Sequence, residues 1–372
     1  MRYGFNGLRL AGQRFGIGRY IEYTLKNMDP LLEADEQVIV YVREPFDKDA
    51  IGLSDSFEVR QLPSRLDGVW WENFVLGRHW REVDALFNPS YTIPLTWKGR
   101  QVVATHSVNE ILPGAHPWWY NLTYRPRNKL SARRSDAVIV PTETAKVDVQ
   151  RLYGIPAAKI DIVPEGVDDS FVPVEDPEQL LAVRQRYLGE DVPYILFVGK
   201  FSLRRNIPAL VTAFAQVKRR DGIPHKLLLY GKNVHNLPID QLAQDLGVSD
   251  SVVQINEKLS DHRSVLPIYS GADLFVHPTA YEGFSLTIVE AMACGAPVIT
   301  VGRGAVAEIV DGAALTVTDP TPDQLAAAIS KTLADPELKA SMRQKGLERS
   351  KLWRFSETAR GNLEVLRRVA AP

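Results

Sequence analysis

Short apolar runs alternate along the chain with longer amphipathic stretches, and turn residues separate them. In the first half, the runs typical of buried strands are Gln37–Val42, Ala85–Asn88, Gln101–Thr105, Ala137–Val140 and Lys159–Val163. In the second half they are Tyr194–Val198, Lys226–Tyr230, Val252–Ile255, Leu274–His277 and Pro297–Val301. Helical patterns lie between them, for example at Pro208–Arg220, Ile239–Leu246, Ser264–Tyr269 and Leu286–Cys294. This alternation predicts parallel sheets covered by helices on both faces.

The alternation pauses at Phe171–Pro193, a stretch with three prolines and several acidic residues around a short predicted helix, Glu178–Tyr187. The stretch is either a hinge between two doubly wound domains or a surface loop within one domain. The number of predicted strands on each side favours the hinge.

Composition excludes several classes of protein. The chain has 372 residues, 45% hydrophobic and 24% charged, which is ordinary for a globular protein of two or three domains. The net charge of −1 indicates that nucleic acid is not a partner. A single cysteine, Cys294, excludes an internal disulfide and fits a reducing cytoplasm. No apolar run approaches the ~20 residues of a membrane span, and we expect no signal peptide.

The strongest chemical signal follows the predicted strand Leu274–His277: Glu282-Gly-Phe-Ser, with Glu290 eight positions after Glu282. Gly283 allows the backbone to approach a ligand, and the following helix start presents unpaired amides that bind anions. Such a glutamate pair alone is more typical of a solvated helix face. Glu290, however, is the one charge on a largely apolar helix, so it needs a partner or a ligand.

A second signal follows the strand Tyr194–Val198, where Gly199 is succeeded by Lys200 and Arg205. A loop after a parallel strand lies at the carboxyl edge of the sheet, where ligands bind in open α/β folds. Two cations there suit a diphosphate, although basic loop residues are commonly only solvated.

Two weaker signals lie in the first half. Gly16 and Gly18 suit a loop that approaches phosphate, but Ile21 stands where a dinucleotide fingerprint requires glycine. His106 follows a predicted strand, so a structural role and a role in a site are about equally supported.

Together these residues resemble the retaining glycosyltransferases with the GT-B fold, and most closely family 4 with its bacterial mannosyl- and hexosyltransferases. Glu282 and Glu290 match the family's E-x7-E signature. The supporting segments are Gly16–Tyr20, Trp70–Glu72, Val163–Asp168, Phe197–Asn206 and Trp353–Phe355. Of these, Trp70–Glu72 is similar to a segment in a bacterial polysaccharide subgroup of the family. The resemblance implies two Rossmann-like domains that face a central cleft, 1–172 and 190–354, with a crossover helix at 355–372 that packs on the first.

The resemblance also implies roles. Lys200 and Arg205 would hold the donor diphosphate, Glu290 the ribose hydroxyls, and Glu282 would lie near the donor sugar. The remaining donor-binding positions are Gly16, Gly18, Gly199, Lys258, Leu259, Gly283, Phe284, Ser285 and Leu286. Lys258 and Leu259 would border the base.

His106 matches a histidine that faces the transferred sugar. The family often has His-Asp there, whereas Ser107 follows in this chain. That difference bears on any role assigned to the missing acid and not on the histidine itself.

The implied reaction is retaining transfer of a hexosyl group, from GDP-mannose by family frequency, to a glycan or lipid-linked saccharide. Fixed cations and a helix N-terminus would stabilise the leaving diphosphate, so we expect no cofactor and no metal. The one Asp-x-Asp triplet, Asp47-Lys48-Asp49, is interpreted as a solvated loop. The proposed chemistry is front-face attack in which a leaving phosphate oxygen takes the acceptor's proton.

Residues 111–135 bear on the acceptor. They contain five basic residues and no acidic one, and Trp118, Trp119, Tyr120 and Tyr124 precede the bases. Such a segment suits peripheral contact with an anionic membrane face. A surface helix whose aromatic residues pack inward is the alternative, weighed slightly higher, and RNA stacking is disfavoured by the balanced charge.

Two other function classes remain open on this fold. One is a sugar-nucleotide isomerase or a phosphorylase, because a fold does not fix a function. The other is a non-catalytic nucleotide-sugar binder, which Glu282, Glu290, Lys200 and Arg205 argue against.

Overall fold

The computed structural model describes residues 1–10, 16–108, 118–257 and 262–371, and for residues 118–121 the backbone alone. The chain divides into two compact units. Unit 1 comprises Met1–Asp168 and Arg354–Pro372, and unit 2 comprises Asp169–Trp353.

Unit 1 contains a seven-stranded parallel sheet with the order β3-β2-β1-β4-β5-β6-β7. Its strands are β1 (Arg2–Asn6), β2 (Gln37–Val42), β3 (Phe57–Gln61), β4 (Ala85–Asn88), β5 (Arg100–Ala104), β6 (Ala137–Val140) and β7 (Ile160–Ile162). Successive strands are added on one side of β1 up to β3 and on its other side from β4 onwards. The carboxyl ends of β1 and β4 are therefore the switch point of unit 1.

The helices of unit 1 are α1 (Ile17–Met28), α2 (Gly68–Phe74), α3 (Trp118–Arg134), α4 (Glu143–Tyr153) and α13 (Phe355–Ala370). Helix α13 packs on α1, where Asn362 donates a hydrogen bond to the hydroxyl of Tyr20 at 2.8 Å. At its other end, Arg367 donates to Glu36 at 2.6 Å. The last helix of the chain is therefore part of the core of unit 1.

Unit 2 contains a six-stranded parallel sheet with the order β10-β9-β8-β11-β12-β13. Its strands are β8 (Tyr194–Val198), β9 (Lys226–Tyr230), β10 (Val252–Ile255), β11 (Leu274–His277), β12 (Val298–Val301) and β13 (Leu315–Val317). The switch point of unit 2 lies between β8 and β11.

The helices of unit 2 are α5 (Pro177–Leu188), α6 (Ile207–Asp221), α7 (Ile239–Asp245), α8 (Leu266–Ser270), α9 (Leu286–Ala293), α10 (Gly304–Val310), α11 (Pro322–Ala334) and α12 (Pro336–Ser350). Local sequence explains their ends. Helix α6 has Pro208 in its first turn and stops at Gly222, which adopts φ 64°. Its apolar face, including Leu210 and Phe214, is buried in the core of the unit.

The predicted parallel α/β architecture is confirmed, and the ten predicted strands are observed within one residue of the predicted bounds, with differences at β5, β7 and β12. Three strands were missed: β1, β3 and β13. β1 contains Gly4, β3 lies at a sheet edge with a half-exposed pattern, and β13 has three residues. Within the described ranges, no helix has the length and apolar content required to cross a bilayer.

Candidate active site

The loops that follow β8 and β11 meet at the switch point of unit 2. The backbone amide of Ala280 donates to the carbonyl of Arg204 at 2.8 Å, and the side-chain amide of Asn206 donates to the carbonyl of Pro278 at 2.8 Å. These hydrogen bonds join the predicted diphosphate loop to the loop that carries Glu282. Two segments more than 70 positions apart in sequence therefore form one edge.

At this edge Glu282 is buried between two guanidinium groups. Its Oε1 lies 2.6 Å from Arg204 Nη1 and 3.3 Å from Arg205 Nη2, and it accepts a hydrogen bond from Thr279 at 3.2 Å. Burial alone would raise the pKa of Glu282, but Arg204 and Arg205 hold it well below its usual range. The glutamate is therefore an anion at every physiological pH.

Arg205 is seated directly against the Gly199 turn. A β-carbon at Gly199 would overlap the guanidinium of Arg205, and Gly199 adopts φ 141°, so glycine is required on both counts. The Nη1 atom of Arg205 is buried without a hydrogen-bond partner. Burial lowers the pKa of Arg205, although an arginine stays charged in proteins. Its buried charge is thus only partly satisfied within the fold.

Two lysines extend the positive charge. Partial desolvation of its ammonium group, together with the charges of Arg205 and Lys232, lowers the pKa of Lys200. Lys200 and Lys232 are both exposed, and they follow the adjacent strands β8 and β9. We call Lys200, Arg204, Arg205 and Lys232 the cationic cluster. Arg204 and Arg205 contact the carboxylate of Glu282, and the four cations together carry more charge than this one carboxylate, which suits a polyanion.

His277, at the end of β11, lies beside Glu282 and the cationic cluster. Its ring is stacked between Phe197 (centroids 5.7 Å apart, 8°) and Phe275 (5.8 Å, 15°), and its Nε2 lies 3.5 Å from Glu282. Burial lowers the pKa of His277 to about 4, so the ring is neutral at pH 7. It therefore adds no charge to the edge.

The second predicted glutamate, Glu290 in α9, is also buried. Tyr269 donates a hydrogen bond to its Oε2 at 2.8 Å, and His262 Nε2 lies 3.0 Å from its Oε1. These contacts supply the partner that a charge on an apolar helix needs. The His262 side chain is 18% exposed, so this oxygen of Glu290 lies behind a partly exposed imidazole.

The start of α9 carries the remaining predicted donor positions of unit 2. Ser285 precedes the helix, and its hydroxyl lies 3.5 Å from His277 Nε2 rather than capping the helix. Phe284 is buried edge-on against Trp353. Gly283 and Leu286 flank these two residues, and Leu286 is the first residue of the helix. Lys258 and Leu259 lie outside the described residues.

The switch point of unit 1 is built differently. Asn6 at the end of β1 donates to Glu72 at 3.0 Å and to Asn88, at the end of β4, at 3.3 Å. Thr92 also donates to Glu72, at 3.0 Å. Glu72 is buried, and burial raises its pKa. The Trp70–Glu72 segment therefore contributes a buried carboxyl group that holds the strand ends together.

His106 lies at the same edge of unit 1, after β5. Its Nδ1 is 2.7 Å from Glu165 Oε1, and its Nε2 is 2.7 Å from the carbonyl oxygen of Pro89. Burial alone would lower the pKa of His106, but the charge and hydrogen bond of Glu165 raise it above its usual value. Both ring nitrogens of His106 are therefore bonded within unit 1.

The glycine positions of unit 1 lie at the start of α1. Gly16 adopts φ 43° and caps the helix, and a β-carbon there would meet open space, so its backbone conformation alone calls for glycine. Gly18 is buried inside the helix.

Asp47 and Asp49 of the Asp-x-Asp triplet lie in an exposed loop, where an Asp47 oxygen accepts a hydrogen bond from the Asp49 amide at 3.0 Å.

Sequence reasoning missed four residues of these two edges: Arg204, Lys232, His277 and Glu165. Arg204 and Lys232 follow strands, so the rule that singled out Lys200 applies to them. Glu165 lies in the Val163–Asp168 turn, and nothing in the sequence links it to His106.

Two protein-family models match the chain. The model described as "Glycosyltransferase Family 4" matches residues 16–171, and the one described as "Glycosyl transferases group 1" matches residues 182–349.

Curated relatives and a solved structure agree with the family models. The chain is 27% identical to the O-antigen chain mannosyltransferase B of Escherichia coli, over 58% of this chain and 56% of that one. It is 32% identical to the GDP-mannose-dependent alpha-(1-6)-phosphatidylinositol monomannoside mannosyltransferase of Mycolicibacterium smegmatis, over 50% of each chain. The chain thus matches about half the length of these relatives.

A sucrose-phosphate synthase structure from Thermosynechococcus elongatus is similar in fold, with a TM-score of 0.78, 22% identity, and coverage of 99% of this chain and 98% of that one. This sequence identity is too low to support a conclusion beyond the fold. The two parallel α/β units, the two family models and these likenesses lead to one conclusion: the chain belongs to the GT-B glycosyltransferases of family 4.

Proposed function

We propose that the protein transfers a hexosyl group from a nucleotide diphosphate sugar to a glycan or a lipid-linked saccharide, with retention of configuration. The cationic cluster at the switch point of unit 2 carries this proposal. Two arginines contact Glu282 there and two lysines follow the adjacent strands β8 and β9, at the edge where a Rossmann-like unit binds ligands. A diphosphate is the part of the donor that such an excess of positive charge would bind.

The chemistry follows from charge. Cleavage of a glycosyl–phosphate bond builds negative charge on the leaving diphosphate, and fixed cations stabilise it because they need no reorganisation. Lys200 and Arg205, with Lys232, supply that charge, and the amides that begin α9 add to it. Glu290 binds the ribose hydroxyls, and Glu282 positions the donor sugar. Arg204 neutralises Glu282, which keeps this carboxylate from repelling the phosphates.

In this mechanism the acceptor attacks from the face that the phosphate leaves. A leaving phosphate oxygen takes the acceptor's proton, so no protein side chain acts as general base. The reaction uses no cofactor and no metal, because the cationic cluster supplies the charge that a metal would otherwise provide.

GDP-mannose is the proposed donor. Family frequency favours it, and two relatives are mannosyltransferases by name, one of them GDP-mannose-dependent. The decisive experiment incubates the protein with GDP-mannose, UDP-glucose, UDP-N-acetylglucosamine and ADP-glucose, with EDTA present, with and without a polyprenyl-diphosphate saccharide. We expect one donor to be consumed, with product that depends on the acceptor and an α-linkage by NMR.

Other results would reject parts of the proposal. Donor binding without any turnover would favour a non-catalytic binder. Rearrangement of the donor that does not depend on an acceptor would favour an isomerase. Formation of product from a sugar phosphate, with consumption of free phosphate in the reverse reaction, would favour a phosphorylase. Loss of turnover in EDTA that added Mg²⁺ restores would reject the metal-independent mechanism.

We further propose that residues 111–135 contact the anionic cytoplasmic face of a membrane, where a lipid-linked acceptor would lie. Residues 111–117 and the side chains of Trp118, Trp119 and Tyr120 lie outside the described part. In α3, Leu122 is 67% exposed and Arg125 and Arg134 are exposed. Lys129 and Arg133 instead donate to carbonyls at the end of α4, so part of the basic charge holds the fold.

Flotation with liposomes tests the membrane contact. We expect the protein to float with vesicles that contain phosphatidylglycerol and not with phosphatidylcholine alone, and Arg125→Glu with Arg134→Glu to abolish flotation. Arg219→Glu, an exposed arginine of α6, is the matched control. Flotation that is independent of anionic lipid would reject the electrostatic contact.

A further inference from the structure

The acid that the family often places directly after His106 is replaced in this chain by Ser107. The Ser107 hydroxyl lies 3.1 Å from the hydroxyl of Tyr91, in a contact within unit 1. A different acid, Glu165, contacts the imidazole instead, at 2.7 Å from Nδ1. The carboxylate absent from position 107 is thus present in space, supplied by a residue 59 positions after His106.

Both partners of the imidazole are hydrogen-bond acceptors. The Glu165 carboxylate faces Nδ1, and the carbonyl of Pro89 faces Nε2 at 2.7 Å. Two acceptors are satisfied together only if both nitrogens carry a proton, which is the imidazolium form. The side chains of His106 and Glu165 are 12% and 10% exposed, so little solvent screens the ion pair.

The remaining walls around the ring are aromatic. Tyr20 lies edge-on to the imidazole with centroids 4.7 Å apart, and Tyr91 lies edge-on at 5.4 Å. Burial raises the pKa of Tyr20, so this phenol is uncharged at neutral pH. Among the groups in contact with the ring in the described part of unit 1, Glu165 therefore supplies the charge that opposes the imidazolium.

Helix α13 fixes the position of Glu165. A β-carbon at Gly166 would overlap the backbone of Arg354, and the adjacent residue Val167 forms a parallel bridge with Arg354. On the other side of Glu165, the carbonyl of Pro164 accepts a hydrogen bond from Thr358 at 2.8 Å. The backbone on both sides of Glu165 is therefore held by the start of the last helix.

We propose that Glu165 is a positioning residue that holds His106 as a fixed imidazolium, so that His106 contributes to transfer as a positive charge and not as a proton acceptor. The role in transfer rests on the proposed function, whereas the protonation and orientation of His106 do not. The role also explains why the chain tolerates serine at position 107.

The test compares wild type with Glu165→Gln by NMR of ¹⁵N-labelled imidazole groups, with His106→Gln used to assign the signal. In wild type we expect both His106 nitrogens to remain protonated above pH 7. In Glu165→Gln the amide can donate to Nδ1, so we expect a single neutral tautomer at pH 7. Asp161→Asn, which removes the carboxylate that pairs with Arg368 in the same unit, should leave the His106 signal unchanged.

Turnover then tests the role in transfer. Glu165→Gln should lower kcat about tenfold while the donor KM stays within about twofold, and the alkaline loss of kcat should move to lower pH. A neutral His106 in wild type, or an unchanged His106 signal in Glu165→Gln, would overturn the positioning role. Unchanged kcat in a variant with neutral His106 would overturn the catalytic part. If wild type turns over no donor, the proposed function fails while the NMR result stands.

Discussion

The switch points of the two units are built from the same topology and opposite chemistry. In unit 1, the ends of β1 and β4 carry Asn6 and Asn88, and Asn6 donates hydrogen bonds both to Asn88 and to the buried Glu72. In unit 2, the ends of β8 and β11 lead to the cationic cluster and to Glu282. The first edge satisfies its polar groups internally, whereas the second keeps an excess of positive charge. A fold places a ligand edge, and side chains decide whether that edge is closed by hydrogen bonds or open to an anion.

This difference predicts that one edge governs binding and the other stability. The largest effect is expected for Arg205→Ala, which removes a buried cation beside Gly199 and Glu282. Nucleoside diphosphate affinity should fall on the order of 300-fold, since truncating one partner of a buried charge pair costs several kcal/mol. Calorimetric titration of GDP, UDP, ADP and dTDP measures it, and the same titrations into wild type identify the preferred base.

Arg219→Ala is the control for this titration, because Arg219 is an exposed arginine near the far end of α6. It removes the same charge and should leave affinity within about twofold. Equal weakening by both variants would mean that net charge, and not the cationic cluster, attracts the ligand.

The opposite behaviour is expected at the edge of unit 1. Glu72→Ala leaves the amide of Asn6 and the hydroxyl of Thr92 without their carboxylate partner, and we expect a loss of about 3 kcal/mol in the stability of unit 1. Hydrogen–deuterium exchange at the amides of β1 and β4 measures this loss. Nucleoside diphosphate affinity should stay within about twofold of wild type. A large loss of affinity at preserved stability would contradict the division of roles.

A third prediction concerns acid pH. The unfolded-state imidazole of His277 takes up a proton below its usual pKa of about 6.5, whereas the folded ring stays neutral down to about 4. Stability conferred by this group is therefore present above pH 6.5 and is lost as the pH falls towards 4. Between pH 6.5 and 4.5, wild type should lose about 2 kcal/mol more than His277→Phe.

Denaturant unfolding at several pH values measures that difference, because the other titrating groups are common to both proteins. Phenylalanine preserves the stack between Phe197 and Phe275. Parallel pH dependence in the two proteins would show that folding does not lower the pKa of His277.

The smallest effect is expected for Glu290→Gln. The amide retains the shape of the side chain but cannot accept charge-assisted hydrogen bonds from ribose hydroxyls, so nucleoside diphosphate affinity should fall about tenfold. Inorganic diphosphate, which has no ribose, should bind wild type and variant alike, whereas Arg205→Ala should weaken both ligands. Equal weakening of inorganic diphosphate by Glu290→Gln would assign this glutamate to the phosphates.

Much of the fold was predictable because a buried parallel strand is a continuous apolar run. Tyr194–Val198 and Leu274–His277 have the predicted bounds, and the glycine turn after the former marked the ligand edge. Edge strand β3 was not predicted because only part of it is buried, which leaves a weak apolar pattern. Strand β13 was not predicted because three residues are too few to form a pattern.

What the sequence determined by itself was local: strand and helix periodicity, the turn at Gly199 and the charges that follow each strand. The tertiary structure decided which charges meet. Arg204, and not only Arg205, reaches Glu282, and Glu165 takes the place beside His106 that Ser107 leaves without an acid. Pairing between residues 59 or 78 positions apart depends on the strand order of a sheet, and no local pattern encodes that order.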